Sequence, residues 1–284
     1  MNPYRELVAA YARCFREGRS LPHGGFTSVA TPAKPEAHSA LIFSPHPDDE
    51  GIIGGLPLRL SREAGWRIGN VAVTLGSKKV RQPERLAELD AACNYMGFEL
   101  VQTIPGGLER VNPETRQSAP DVWAQSVAVI AKILTERAPA AIFFPHAADW
   151  NSTHIGTHLL VMDALAKMPD EFSTGLVETE YWGQMTAPNL MVELGEAEVA
   201  DLVAEVSFHA GEVQRNPFHL LLPAWMQDNV RRGSELVGGQ GQAAPNYSFA
   251  TLYRLQWWSH GKIWQTQRAG RYLSLAEKPG LLFK

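Results

Sequence analysis

The sequence predicts an α/β fold: a three-layer core with a mostly parallel sheet, an N-terminal helix before it and a less regular C-terminal region after it. Three observations carry this. Ala40–Ser44 and Ala141–Phe144 are short, continuous apolar runs, the signature of strands buried on both faces. Helical and strand-like patterns then alternate along the chain, as they do where helices cover both faces of a parallel sheet. Finally, 284 residues with 45% apolar and 20% charged side chains supply a sizeable core and too little charge for disorder.

Taken in order, Tyr4 to Arg16 carries Leu7, Val8, Tyr11 and Phe15 at helical spacing and reads as an opening amphipathic helix. Pro22 to Pro35, rich in Pro, Gly, Ser and Thr, reads as a linker. After the strand at 40–44 come a helix over 48–64, a strand over 68–75, a helix over 84–96 and a strand over 99–103. A helix over 121–137, the second buried strand at 141–144 and a helix over 153–167 complete a Rossmann-like alternation. Beyond Phe172 the periodicity weakens: strands are expected at 177–183 and 190–194, a helix at 196–214 and a strand-pair element at 247–258. Gly233 to Pro245 reads as a loop, and the segment holding Pro217, Pro223 and Trp225 has no assignment. The expected organisation is a single α/β domain over 1–284, with 1–38 as N-terminal helix and linker and 173–284 as a C-terminal elaboration.

Charge excludes several partners. Twenty-six Lys and Arg against 30 Asp and Glu give −4, with no footprint for nucleic acid or an anionic membrane. Cys14 and Cys93 are too few and too far apart for a disulfide framework or a cysteine zinc site, so a reducing, cytoplasmic setting is expected. Residues 1–25 are interrupted by charge and do not read as a secretory signal. No stretch approaches the ~20 apolar residues of an integral membrane segment. The sequon at Asn151, Ser152 and Thr153 therefore carries no weight, and a homo-oligomer stays open.

The chemistry concentrates after the two buried strands. Ser44, Pro45, His46, Pro47, Asp48, Asp49 and Glu50 follow the first, where open α/β sheets bind ligands. Three consecutive acids either sit at the positive end of a helix, as a solvated cap, or turn inward with the imidazole toward a divalent cation. After the second strand come His146, Asp149, Asn151, Ser152, Thr153, His154 and His158. A cap at Ser152 or Thr153 places His154 in the first helical turn and His158 on the same face one turn later. If the two strands are neighbours, His46, Asp49 and His154 converge as three N/O ligands with one position open, the requirement of a catalytic zinc site. His158 is a ligand, a supporting group or a plain helix-face histidine.

The Pro45–Glu50 segment closing a buried strand, with a histidine motif downstream, resembles the LmbE-like, or PIG-L, family of zinc-dependent de-N-acetylases. Arg85, Glu88, Leu89, Ala92, Met96 and Gly97 likewise resemble that family's Arg-x-x-Glu helix, and the likeness spans about residues 40–158. The resemblance implies a metal-dependent amide hydrolase that removes acetyl from an N-acetylated sugar of the N-acetylglucosamine type, a small-molecule substrate. It implies that His46, Asp49 and His154 bind Zn2+, that Asp48 is the general base, and that Arg85 faces the substrate. A His-Asp-His set with open positions also suits other divalent metals, Fe2+ among them. Glu50 is read as a carboxylate behind the ligands or on the helix dipole.

One departure matters. The family's second motif reads His-x-Asp-His, and here Asn151 stands three residues before His154 in place of the helper imidazole. An amide donates a hydrogen bond to an oxyanion but delivers no proton. His146, His158 or His209 would have to compensate, and His209 resembles a late family motif containing histidine. Two other readings stay open: a zinc amidase acting on a different amide, and an inactive sugar-binding protein of the same fold. Gly51, Gly54 and Gly55 lack dinucleotide-loop spacing and lie beside acids that repel a pyrophosphate.

Overall fold

The computed structural model describes residues 2–32, 37–264 and 269–284, so residues 33–35 of the expected linker lie outside the described residues. An outer helix, α1 (Tyr4–Gly18), precedes β1 (Ser39–Ser44). Then follow α2 (Asp49–Ile52), α3 (Gly55–Ala64), β2 (Arg67–Ala72), α4 (Gln82–Met96) and β3 (Glu99–Gln102). Helices α5 (Pro113–Ser118) and α6 (Pro120–Arg137) lead into β4 (Ala141–Pro145), α7 (Ser152–Leu165) and β5 (Thr174–Thr179). The C-terminal part contains β6 (Leu190–Leu194), α8 (Glu196–Val206), α9 (Ala210–Val213), α10 (Leu222–Leu236), β7 (Phe249–Ser259), β8 (Lys262–Trp264) and β9 (Arg271–Leu273).

Among the described residues nine strands form one sheet in the order β3-β2-β1-β4-β5-β7-β6-β9, with β8 paired to β7. From β3 to β5 every pairing is parallel. The eleven-residue β7 then runs antiparallel to both β5 and β6, and β9 closes the edge parallel to β6. Side chains alternate between the faces, as a pleated strand requires. Ala40, Ile42, Ala141 and Phe143 pack with Leu56, Leu60, Leu89 and Leu202 of α3, α4 and α8, while Leu41, Phe43, Ile142 and Phe144 pack with Ile130, Leu134, Leu160 and Val161 of α6 and α7. The fold is therefore the mostly parallel, helix-flanked α/β sheet that the buried runs predict.

Several boundaries differ for tertiary reasons. The expected helix over 48–64 is two helices, because Pro57 has no N–H for the Ile53 carbonyl. The Tyr253 hydroxyl fills the gap: it donates to Ile53 O at 2.7 Å and accepts from Leu56 N at 3.0 Å. The expected helix over 196–214 breaks after Val206, and the intervening turn directs His209 inward. The unassigned segment around Pro217 and Pro223 is a 3₁₀ turn (Phe218–Leu221) leading into α10, with Pro223 in the first helical turn. Helix α10 continues through Leu236 into the expected loop, since Gly233 lies close against Met191 and Leu252. The strand-pair element at 247–258 is the single strand β7. The first part of the linker is anchored: Val29 N donates to Tyr95 O at 2.9 Å, at the end of α4.

Candidate metal centre

Because β1 and β4 are parallel neighbours, with Ala40 beside Ala141 in register, the segments leaving their carboxyl ends emerge side by side. The first carries His46, Asp48 and Asp49 into α2, and the second carries Asp149 and Asn151 into α7, whose first turn holds His154. The three expected ligands meet. His46 Nδ1 lies 3.4 Å from Asp49 Oδ2, His154 Nε2 lies 3.4 Å from the same oxygen, and the two ring nitrogens are 3.3 Å apart.

This near-equilateral triangle tests the fit of a metal. Donors ~2.0–2.2 Å from a tetrahedral zinc stand ~3.3–3.5 Å from one another, so the three atoms match three corners of a tetrahedron and leave the fourth toward the cleft. Asp49 and His154 are fully buried, and Asp49 Oδ1 has no hydrogen-bond partner among the described residues. Burial works to raise the Asp49 carboxyl, but the imidazoles of His154 and then His46 outweigh it and hold its pKa well below the usual carboxylate range. Burial likewise works to lower His154, yet Asp49 and Asp149 on its two sides push it up to about 10. The surroundings thus draw positive charge into this position, which a cation supplies once it displaces the proton.

Asp149, named in the second cluster but given no role from the sequence, is the residue whose function the structure adds. Its Oδ2 lies 3.3 Å from His154 Nδ1 and also accepts from Gly183 N at 3.1 Å, while Oδ1 accepts from Asn151 N at 2.8 Å. A carboxylate on the far nitrogen fixes a ligand imidazole in one tautomer and orientation. The available signal was an acid between a buried strand and a histidine-bearing helix. The Tyr181 ring stands edge-on to His154, with centroids 4.8 Å apart.

Asp48 occupies the turn between β1 and α2 with φ 112°, left-handed backbone that a β-carbon disfavours. Burial, followed by the charge of Asp49, raises its carboxyl well above the ordinary value, and Arg85 opposes that from 3.9 Å. Arg85 itself is anchored by a 2.9 Å hydrogen bond from Nη2 to Pro47 O. His46, Asp48, Arg85, Thr153, Trp182 and Phe218 line a cleft of about 610 Å³. Lys78, Arg81, Arg110 and Arg215 also border this cleft.

The other histidines are engaged elsewhere. Asn151 caps α7, its Oδ1 accepting from Thr153 N at 2.9 Å. His209 is buried beneath α2, where Nε2 donates to Glu50 Oε1 at 2.7 Å. His146 Nε2 bonds to Gly183 O at 2.9 Å and His158 Nδ1 to Pro145 O at 2.9 Å, so both brace the backbone around the centre.

Comparison with known proteins accords with this geometry. Residues 41–165 match the PIG-L family, described as GlcNAc-PI de-N-acetylase. No curated protein sequence matches the chain. Among solved structures, the N,N'-diacetylchitobiose deacetylase of Pyrococcus horikoshii is similar with TM-score 0.54 and 14% identity, over 92% of this chain and 94% of that one. The A40926 pseudoaglycone deacetylase Dbv21 aligns with TM-score 0.57 and 14% identity, over 79% and 98%. The 4-carboxy-2-hydroxymuconate hydratase GalB of Pseudomonas putida KT2440 aligns with TM-score 0.56 and 16% identity, over 77% and 95%, so these likenesses show a shared fold. Both segments that build the centre fall within residues 41–165, the part of the chain that matches the PIG-L family.

Proposed function

We propose that this protein is a zinc-dependent hydrolase that removes the N-acetyl group from a sugar of the N-acetylglucosamine type. The observation that carries the reading is the triangle of His46 Nδ1, Asp49 Oδ2 and His154 Nε2 beneath the cleft, with the buried carboxyl of Asp48 in the cleft wall. His46, Asp49 and His154 would hold the ion, which when bound supplies Lewis acidity toward the amide carbonyl and makes water more acidic. Asp48 is the base: its carboxylate takes a proton as the water oxygen attaches to the acetyl carbon. The same carboxyl returns the proton to the nitrogen as the C–N bond breaks, releasing acetate and a free amine. A carboxyl whose burial raises its proton affinity is suited to hold a proton between the two transfers. Arg85, tethered to Pro47 O beside Asp48, keeps that carboxyl oriented and faces the bound sugar. Trp182, which also lines the cleft, offers an aromatic face to a pyranose ring.

The test measures bound metal and acetate release together. Purified wild type is expected to hold about one zinc per chain, and Asp49→Ala and His154→Ala to lose it. Acetate release from N-acetylglucosamine and N,N'-diacetylchitobiose should stop on chelation and return with zinc. Asp48→Asn should keep the metal and lose about 10²- to 10⁴-fold in turnover. A protein that holds zinc and binds these sugars without releasing acetate would be a binding protein of this fold, and the hydrolase reading would fall.

A further inference from the structure

A second cluster of ionisable groups lies behind the centre, and the proposed reaction does not use it. Glu50, Glu205 and His209 are all but inaccessible to solvent, at 0%, 1% and 1% exposure, and each offers an atom within 4.8 Å of the others. The oxygens of Glu50 are committed: Oε1 accepts from His209 Nε2 at 2.7 Å and Oε2 accepts from the backbone N–H of Asp48 at 3.1 Å. Both oxygens of Glu205 are buried without a hydrogen-bond partner among the described residues. Its carboxyl presses on Gly51, where a β-carbon would fall 1.7 Å from Oε2, so the slot exists because residue 51 has no side chain.

Two carboxylates buried against each other cannot both stay ionised unless a proton or a cation relieves them. A cation fits poorly. It would have to share the Glu50 oxygens with hydrogens that His209 and the Asp48 peptide already direct at them. A proton on Glu205 fits: it turns an acceptor with no donor into a donor facing the one carboxylate in reach. Burial, and then the charge of Glu50, act in the same direction on the Glu205 acid.

We infer that Glu205 is a neutral carboxylic acid hydrogen-bonded to Glu50, and that this pair, with His209, is a positioning device for the Asp48 peptide. Glu50 links the two ends. It takes the acid proton of Glu205 and the N–H of His209, and holds the N–H of Asp48, the residue whose left-handed backbone aims its carboxyl at the cleft. The functional half of this inference rests on the reading of Asp48 as the base; the protonation of Glu205 does not.

The test compares Glu205→Gln with Glu205→Ala. A glutamine keeps the shape and can donate to Glu50, so it should restore what alanine removes. Glu205→Ala is expected to lower kcat by about 10- to 100-fold with KM little changed, the signature of a misaimed group rather than a lost binding contact. Zinc content should stay at the wild-type value in both variants. Infrared spectroscopy provides a readout that needs no turnover. Among the described acids Asp48 and Glu205 are those whose proton affinity is raised, so the work is done in an Asp48→Asn background. There the carbonyl stretch of a protonated carboxylic acid should be present at neutral pH and vanish on adding Glu205→Gln. Absence of that band, or loss of one metal per chain in Glu205→Gln, would overturn the inference in favour of an ionised or cation-bound cluster. A Gln variant as slow as the Ala variant would overturn the positioning role, whereas absence of acetate release in wild type would sink the hydrolase reading and leave the infrared result standing.

Discussion

Asp48 illustrates what the site demands of single residues. A β-carbon at φ 112° costs roughly 1–3 kcal/mol, and a buried carboxyl adds to that strain. Asp48→Gly is therefore expected to abolish acetate release and to raise stability by about 1–2 kcal/mol, visible as a higher urea midpoint at unchanged slope. A lower midpoint would mean that the carboxylate is a net stabiliser. Asp149 makes the opposite case, holding His154 without touching the cleft. Asp149→Ala should weaken zinc binding about 10- to 100-fold, measured by competition with a chelator, while leaving the ligand set intact. The candidate ligands His46, Asp49 and His154 were legible in the sequence because each follows a recognisable buried strand, and those two strands are parallel neighbours in the sheet. The role of Asp149 was not, because it depends on how the loop before α7 folds back onto His154, and that of Glu205 was not, because α8 and the turn before α2 are far apart in the chain.

At the scale of elements, the legible parts are those whose pattern is set locally. Strands β1 and β4 are buried on both faces and so appear as unbroken apolar runs. The misplaced boundaries are those set from afar: Tyr253 supports the break between α2 and α3, and His209 turns the chain between α8 and α9. Tyr253→Phe would leave the Ile53 carbonyl and the Leu56 N–H unpaired in the core, at a cost of about 2–4 kcal/mol by thermal or urea unfolding. A change under about 0.5 kcal/mol would show that the break needs no external partner. Asn151→Ala removes the cap of α7 and should cost about 1 kcal/mol. The late strands were hard to place because β7 pairs antiparallel with two partners at once, and neither partnership follows from its own periodicity.

For the whole molecule, the sheet passes without interruption from the parallel half into the antiparallel one, and buried charge ties the two together. Arg59 of α3 is fully buried, donating to Glu63 and to the carbonyls of Glu193, Ser274 and Glu277. Arg59→Ala strands a buried carbonyl cluster and should cost about 3–5 kcal/mol. Wild type is expected to unfold in one transition; two resolved transitions in calorimetry would mean that residues 173–284 form a separate unit. The same connections order events during synthesis. His46, Asp49 and His154 have all left the ribosome once His154 has emerged, but Gly183, His209 and Tyr253, which bond to the turns carrying them, follow up to about a hundred residues later. A growing chain therefore exposes its acids and imidazoles before it can fix their geometry, and the turns that carry them are fully braced only once β7 takes its place in the sheet.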